Sequence, residues 1–211
     1  MPVLLDEKPH KIPKAIERDN ADEDYSMLVS RYKMAEGNLG LRKGQQVHEI
    51  HMSQIKSAID AVLHVESPIH VDELMRRVIE AAGYNKVGNR IRTHLFRAIK
   101  SSARDGRVYL ERDFVYIDKG KTAVVRDRSD LAPGQRKIEF VSLEERSEAV
   151  LMVVKNAFTI TKEEAMAEAL YLFGIKRLTK NAHALMNEAV VHLLKIEALG
   201  QKGDLIFLPT N

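Results

Sequence analysis

Apolar positions along the chain fall into two similar series separated by a constant shift of 91 residues, the first over residues 55–117 and the second over 146–208. Ile59 lies over Val150, Val62 over Val153, Leu63 over Val154, Leu95 over Met186 and Ile99 over Val190. Gly83 lies over Gly174, and Phe114, Val115, Tyr116 and Ile117 lie over Leu205, Ile206, Phe207 and Leu208. Within each series the apolar spacing first follows a helical period and then a strand period, so each predicts three helices closed by a β-hairpin. The first helices are expected at Ser53–Val65 and Leu143–Ala157, the third at Asn89–Arg104 and Asn181–Ile196. The hairpins are expected at Arg107–Glu111 with Phe114–Ile117, turning at Arg112–Asp113, and around Lys202–Gly203–Asp204.

Local signals agree with this reading. Ser142 with Glu145, and Thr161 with Glu164, have capping-box spacing, and His70 with Glu73 occupies the latter places in the first series. Gly83 and Gly174 fall where a helix end calls for a left-handed residue. The predicted fold class is mainly α with small β-hairpins (α+β), as tandem winged helix-turn-helix domains at 52–118 and 142–211. Residues 1–51, polar and carrying an acidic cluster at Asp19–Asp24, are expected as an N-terminal arm with short helices. Residues 119–141 are expected as a basic connector in which Thr122–Val125 and Lys137–Val141 can pair as an extra hairpin about Pro133–Gly134.

Composition narrows the chemistry. The chain of 211 residues has no cysteine, which removes disulfides, thiolate metal sites and cysteine nucleophiles together. No apolar run approaches the about twenty residues of a membrane span, and the first residues lack the apolar core of a signal peptide, so no membrane partner and a cytoplasmic location are expected. The net charge of +3 says little, but its distribution says more. Residues 1–51 and 142–211 each carry one excess acid, whereas 52–118 carry two excess bases and 119–141 three. The positive excess is therefore central.

No catalytic constellation emerges, and neither a metal nor a cofactor is expected. Gly120-Lys121-Thr122 resembles the end of a phosphate-binding loop, but the glycine required five places earlier is Val115. His48-Glu49-Ile50-His51 spaces its histidines by three, where two ligands on one helical face need four. His64 and His70 have no carboxylate cluster with ligand spacing beside them, and the serines have no nucleophile elbow.

Binding chemistry is more visible. Projected at about 100° per residue, the third helix of the first series gathers Ile91, Leu95, Ala98, Ile99 and Ser102 on one arc and Arg90, Thr93, Arg97, Lys100 and Arg104 on the opposite one. Four cations and a small hydroxyl suit phosphate and base-edge contacts, and Arg107 and Arg112 extend the charge into the hairpin. The corresponding arc of the second series holds Asn181, Ala184, Glu188, Val191 and Lys195. It is nearly neutral, so Ala184 and Val191 are expected to face another protein surface. Lys176, Arg177 and Lys180, with Arg126 and Arg128 beside Lys119 and Lys121, form a secondary basic group whose alternatives are phosphate contact, a solvated loop, or pairing with Asp127 and Asp130.

The run Val65-Glu66-Ser67-Pro68-Ile69-His70-Val71-Asp72-Glu73-Leu74-Met75-Arg76-Arg77, with Gly83, Arg90 and Ile91, resembles an uncharacterised domain family at the C-terminal end of large bacterial superfamily 1 helicase-related proteins. Val125-Arg126-Asp127-Arg128-Ser129 and Phe173-Gly174-Ile175-Lys176-Arg177 are similar to the same region, while Ser67 stands where that family is expected to have glycine. The resemblance implies a setting in DNA processing, in a fragment or stand-alone form of such a tail, and supplies no catalytic residues. The expected function is thus a non-catalytic, DNA-binding accessory module of a helicase or nuclease system. The alternatives are a protein-interaction or self-association scaffold, or a winged-helix transcriptional regulator.

Overall fold

A computed structural model describes residues 29–118, 120 and 123–209. The acidic cluster at Asp19–Asp24, together with Lys119, Lys121 and Thr122, lies outside the described residues.

The first half contains helix α1 (Met52–Glu66), strand β2 (Ile69–His70), helix α2 (Val71–Ala81), helix α3 (Asn89–Arg104) and strands β3 (Tyr109–Glu111) and β4 (Phe114–Tyr116). Helix α4 (Leu143–Ala157), strand β6 (Thr159–Thr161), helix α5 (Lys162–Leu172), helix α6 (Lys180–Lys195) and strands β7 (Gly200–Lys202) and β8 (Leu205–Phe207) follow in the second. Each helix of the second half begins 91 residues after its counterpart and has the same length: 15, 11 and 16 residues in turn. Both halves close with an antiparallel three-stranded sheet, in the orders β2-β4-β3 and β6-β8-β7. The fold is thus mixed α and β, with six helices and small sheets among the described residues.

The local reasons differ between the halves. Thr161 and Glu164 form a reciprocal capping box at the start of α5. At α4, Ser142 accepts from the Glu145 amide, but the Glu145 carboxylate is not returned to the cap, because two arginines take it. At α2 the cap is the His70 ring, which accepts from the Asp72 amide, while Glu73 turns to Arg76. The two-residue turn of the first hairpin sets Arg112 at φ 51°, where the second has Gly203 at φ 62°.

Two separate apolar cores result, and their extents differ from the sequence expectation. Leu41, Val47 and Ile50 are buried in the first core beside Ile55, Leu74 and Leu95. The end of the 1–51 arm therefore belongs to the first packed unit. A 3-10 turn at Val47–Glu49 carries these residues, and a matching turn at Ile138–Phe140 carries Ile138 and Val141 into the second core, 91 residues on. Among the described residues the expected connector hairpin is not seen: Lys137–Val141 holds that 3-10 turn, and strand β5 (Arg126–Asp127) pairs, in parallel, with strand β1 (Ser30–Arg31). Val29 packs on the second core, while three residues later Tyr32 reaches the first half.

Candidate nucleic-acid interface

Helix α3 divides as its periodicity predicts. Leu95, Ala98, Ile99 and Ser102 are buried, Ile91 is half-buried, and Arg90, Thr93, Arg97, Lys100 and Arg104 are exposed. The outward positions recur every three or four residues, so they form one narrow stripe about 21 Å long at 1.5 Å of rise per residue. Among the described residues, Arg90, Arg97 and Arg104 have no ion-pair partner, and the Lys100 ammonium sits 4.7 Å from the centre of the Phe96 ring. Acidic residues are absent from the first turn, and the Gly88 N-cap places no side chain over the exposed amides.

The N-terminal part of the stripe opens into a cleft of about 370 Å³, lined by His48, Asn89, Arg90, Thr93, His94 and Arg97. His48 comes from the 3-10 turn, and the His94 ring nitrogen Nε2 lies 3.2 Å from the Ile50 carbonyl oxygen. Sequence reading of the helix alone brings together Arg90, Thr93 and Arg97; it misses His48, because the turn's position against α3 depends on packing of Val47 and Ile50.

The hairpin arginines are engaged. Arg107 pairs with Asp60 of α1, and Arg112, at the turn, pairs with Glu188 of α6. Glu188 also accepts from Arg146 Nη2 at 3.1 Å, and these two arginines, outweighing partial burial, hold its carboxyl below the usual range. An exposed ion pair thus links the turn of the first hairpin to the third helix of the second half and engages Glu188 on the arc expected to meet another molecule. Ala184 and Val191 on that arc remain exposed, whereas the Asn181 amide donates to Glu139 at 2.7 Å. Lys176, Arg177 and Lys180 are also exposed.

Arg126 and Arg128 require a correction. Arg128 is 1 % exposed and Arg126 is mostly buried, so neither belongs to a surface basic site, and their partner is not Asp127 or Asp130. Both guanidiniums converge on Glu145: Arg128 donates through Nη1 and Nη2 at 2.8 Å each, and Arg126 through Nη2 at 2.7 Å. Burial pushes the Glu145 carboxyl up, but Arg128 and Arg126 outweigh it and pull it down to about 2. The same Arg126 donates to the Glu66 and Pro68 carbonyls at 2.9 and 2.8 Å, tying the second half to the end of α1.

Below this pair lies a second buried carboxylate. Glu66 accepts from Tyr32 Oη at 2.8 Å, from the Ala35 amide at 2.9 Å and from Arg77 Nε at 2.8 Å. The Tyr32 ring sits 4.7 and 4.9 Å from the guanidinium carbons of Arg128 and Arg126. Burial, followed by the Glu66 charge, pushes the Tyr32 phenol well above its ordinary range. Sequence reading did not single out this cluster. The available signal was Arg77, which at about 100° per residue projects beside Leu74 and Ala81 on the apolar side of α2. The cluster ties the halves together, and the α3 stripe is an exposed cationic surface of the first half.

Compared with known families, residues 45–93 match a family described as a protein of unknown function (DUF3320). The match runs from the 3-10 turn through α1, β2 and α2 into the first turn of α3, and ends before Arg97. No curated protein and no solved structure matches the chain. Among the described residues no helix is long and apolar enough to cross a membrane.

Proposed function

We propose that the chain is a non-catalytic DNA-binding module built as two winged helix-turn-helix units, and that it works beside a helicase or nuclease. The observation that carries this reading is the α3 stripe: Arg90, Arg97, Lys100 and Arg104 point outward together, with Thr93 among them. In helix-turn-helix proteins the corresponding helix meets the groove. Four cations in a row favour contacts dominated by phosphate, with affinity governed by release of counterions. The order helix, strand, helix, helix, hairpin in each half supports the winged assignment, and the resemblance of the Val65–Arg77 run supports the helicase setting.

Replacing Arg97 and Arg104 together by glutamate is the direct test. Retention of the full chain on DNA is expected to be lost while the thermal midpoint stays within about 2 °C, since both side chains are exposed and outside either core. Undiminished retention by the folded double variant would overturn the assignment.

A second reading, an interaction scaffold, is favoured by α6. Val191 and Ala184 are exposed on its outer side, Val191 at 53 %, and Ile196 at its C-terminal cap is 57 % exposed. In that role the second half would dock on a helicase or nuclease body, or on another copy of this chain. Sedimentation over a hundredfold concentration range separates those two partners.

A further inference from the structure

We infer that the cleft at the start of α3 seats one unpaired nucleotide, so that the preferred ligand is DNA with a single-stranded segment or a frayed end. This rests on the reading of α3 as a DNA-binding surface and specifies which form of DNA it takes.

Shape is the first argument. A duplex can bring a backbone phosphate to a hollow beside the helix, but its paired bases stay stacked and cannot enter it. The α3 ridge is bordered by a shallow, open cleft of about 370 Å³. An unpaired nucleotide, splayed from its neighbours, is the part of a DNA chain that can bring a base into such a space.

The lining supplies the second. Arg90, Arg97, His48 and His94 offer four flat cationic or aromatic faces, and Asn89 and Thr93 offer an amide and a hydroxyl for a base edge or a phosphate. Stacking on such faces tolerates any base, and the guanidiniums neutralise the adjoining phosphates. No carboxylate and no large apolar side chain lines the cleft, which disfavours a cationic or purely apolar occupant.

The second half provides an internal contrast. At the positions 91 residues on from His48 and Arg90 stand Glu139 and Asn181, and there the Asn181 amide donates to Glu139 at 2.7 Å across the corresponding gap. Arg97 is matched by Glu188, already bound to Arg112 and Arg146. The second half has thus closed the place with a hydrogen bond and given it two carboxylates. The first half keeps it open, with no carboxylate in its lining; the Glu49 carboxylate lies 3.8 Å from His48 Nε2 at its edge.

Fluorescence anisotropy with the full chain tests this, using a blunt DNA duplex, the same duplex with unpaired tails, and a tailed duplex whose unpaired residues are abasic. The tailed duplex is expected to bind about tenfold tighter than the blunt one, the scale of one stacked base, and the abasic tails to lose that advantage. The variant His48→Glu with Arg90→Asn, which installs the residues of the second half, is expected to abolish the preference. Arg90→Asn alone and His48→Glu alone separate the lost cation and the added carboxylate from closure of the gap, and each is expected to keep part of the preference. Equal binding of blunt, tailed and abasic ligands, or an intact preference in the closed variant, would overturn the cleft proposal while leaving the α3 assignment standing. Absence of binding to all three ligands would overturn both.

Discussion

Arg97 and Glu188 stand at the same point of two 16-residue helices, 91 residues apart, and carry opposite charges with opposite fates. Glu188 is taken by Arg112 from the first hairpin and by Arg146 from α4, whereas Arg97 faces solvent beside Arg90 and Thr93. One helix is thereby used to join the halves of the molecule and the other is left open.

This division sets different roles for two exposed arginines. Arg97→Ala is expected to lower the slope of log affinity against log salt by about 0.9, the contribution of one neutralised phosphate. Arg112→Ala is expected to leave that slope unchanged, because its guanidinium already serves Glu188. It should cost only about 0.5 kcal/mol of stability, since both side chains of the pair are well exposed to solvent. Salt titrations of the two variants on one DNA ligand compare them directly.

Glu145 lies between two buried guanidiniums, and its removal strands both. Glu145→Gln is expected to destabilise the chain by about 3 kcal/mol at neutral pH, measured by urea unfolding. The pH dependence follows from the sign of its shift. The folded carboxyl titrates near 2, below its ordinary 4.5, so the native state favours the charged form. That stability is fully present above about pH 4.5 and is lost as pH falls towards 2. Denaturant midpoints between pH 5 and 2.5 should fall less steeply in the variant than in the parent.

Tyr32→Phe keeps the ring between Arg126 and Arg128 but removes the hydroxyl that donates to Glu66. Glu66 retains Arg77 and the Ala35 amide, so a loss of about 1.5 kcal/mol is expected, the scale of one hydrogen bond to a buried charge. Tyr32→Ala, which also removes the ring, should cost clearly more in the same unfolding measurement.

The two helix-ending glycines differ in what surrounds them. Gly83 and Gly174 have φ of +86° and +72°, which strains any other residue by about 1 kcal/mol. A Cβ on Gly83 would meet its nearest atom, Cβ of Lys43, at 3.5 Å. On Gly174 it would lie 2.7 Å from the Ser129 amide nitrogen and 2.8 Å from its Cα, backbone that cannot swing aside. Gly174→Ala is expected to cost about 3 kcal/mol and Gly83→Ala about 1 kcal/mol, read as thermal midpoints.

Much of the architecture was legible along the chain. The 91-residue shift located the first and third helix of each half to within a residue, since apolar period and turn residues are local properties. The faces of α3 were legible for the same reason: a helix converts sequence spacing into direction without reference to anything else. The capping box at Thr161 was readable, while the similar spacing at Ser142 was misleading because the Glu145 carboxylate had a stronger partner in Arg128.

The sequence by itself therefore determined the succession of helices and closing hairpins, the buried side of α3 and the cationic stripe from Arg90 to Arg104. Tertiary structure alone decided which charges were free to act. Arg126 and Arg128 look like surface cations in a polar connector, yet they are buried because β5 pairs with a strand 96 residues earlier and faces Glu145 across the fold. Arg112 looks like a free hairpin tip, but meets a glutamate 76 residues later. Whether a charged side chain is solvated or paired depends on distant segments brought beside it, and the open cleft at His48 and Arg90 belongs to that same order of information.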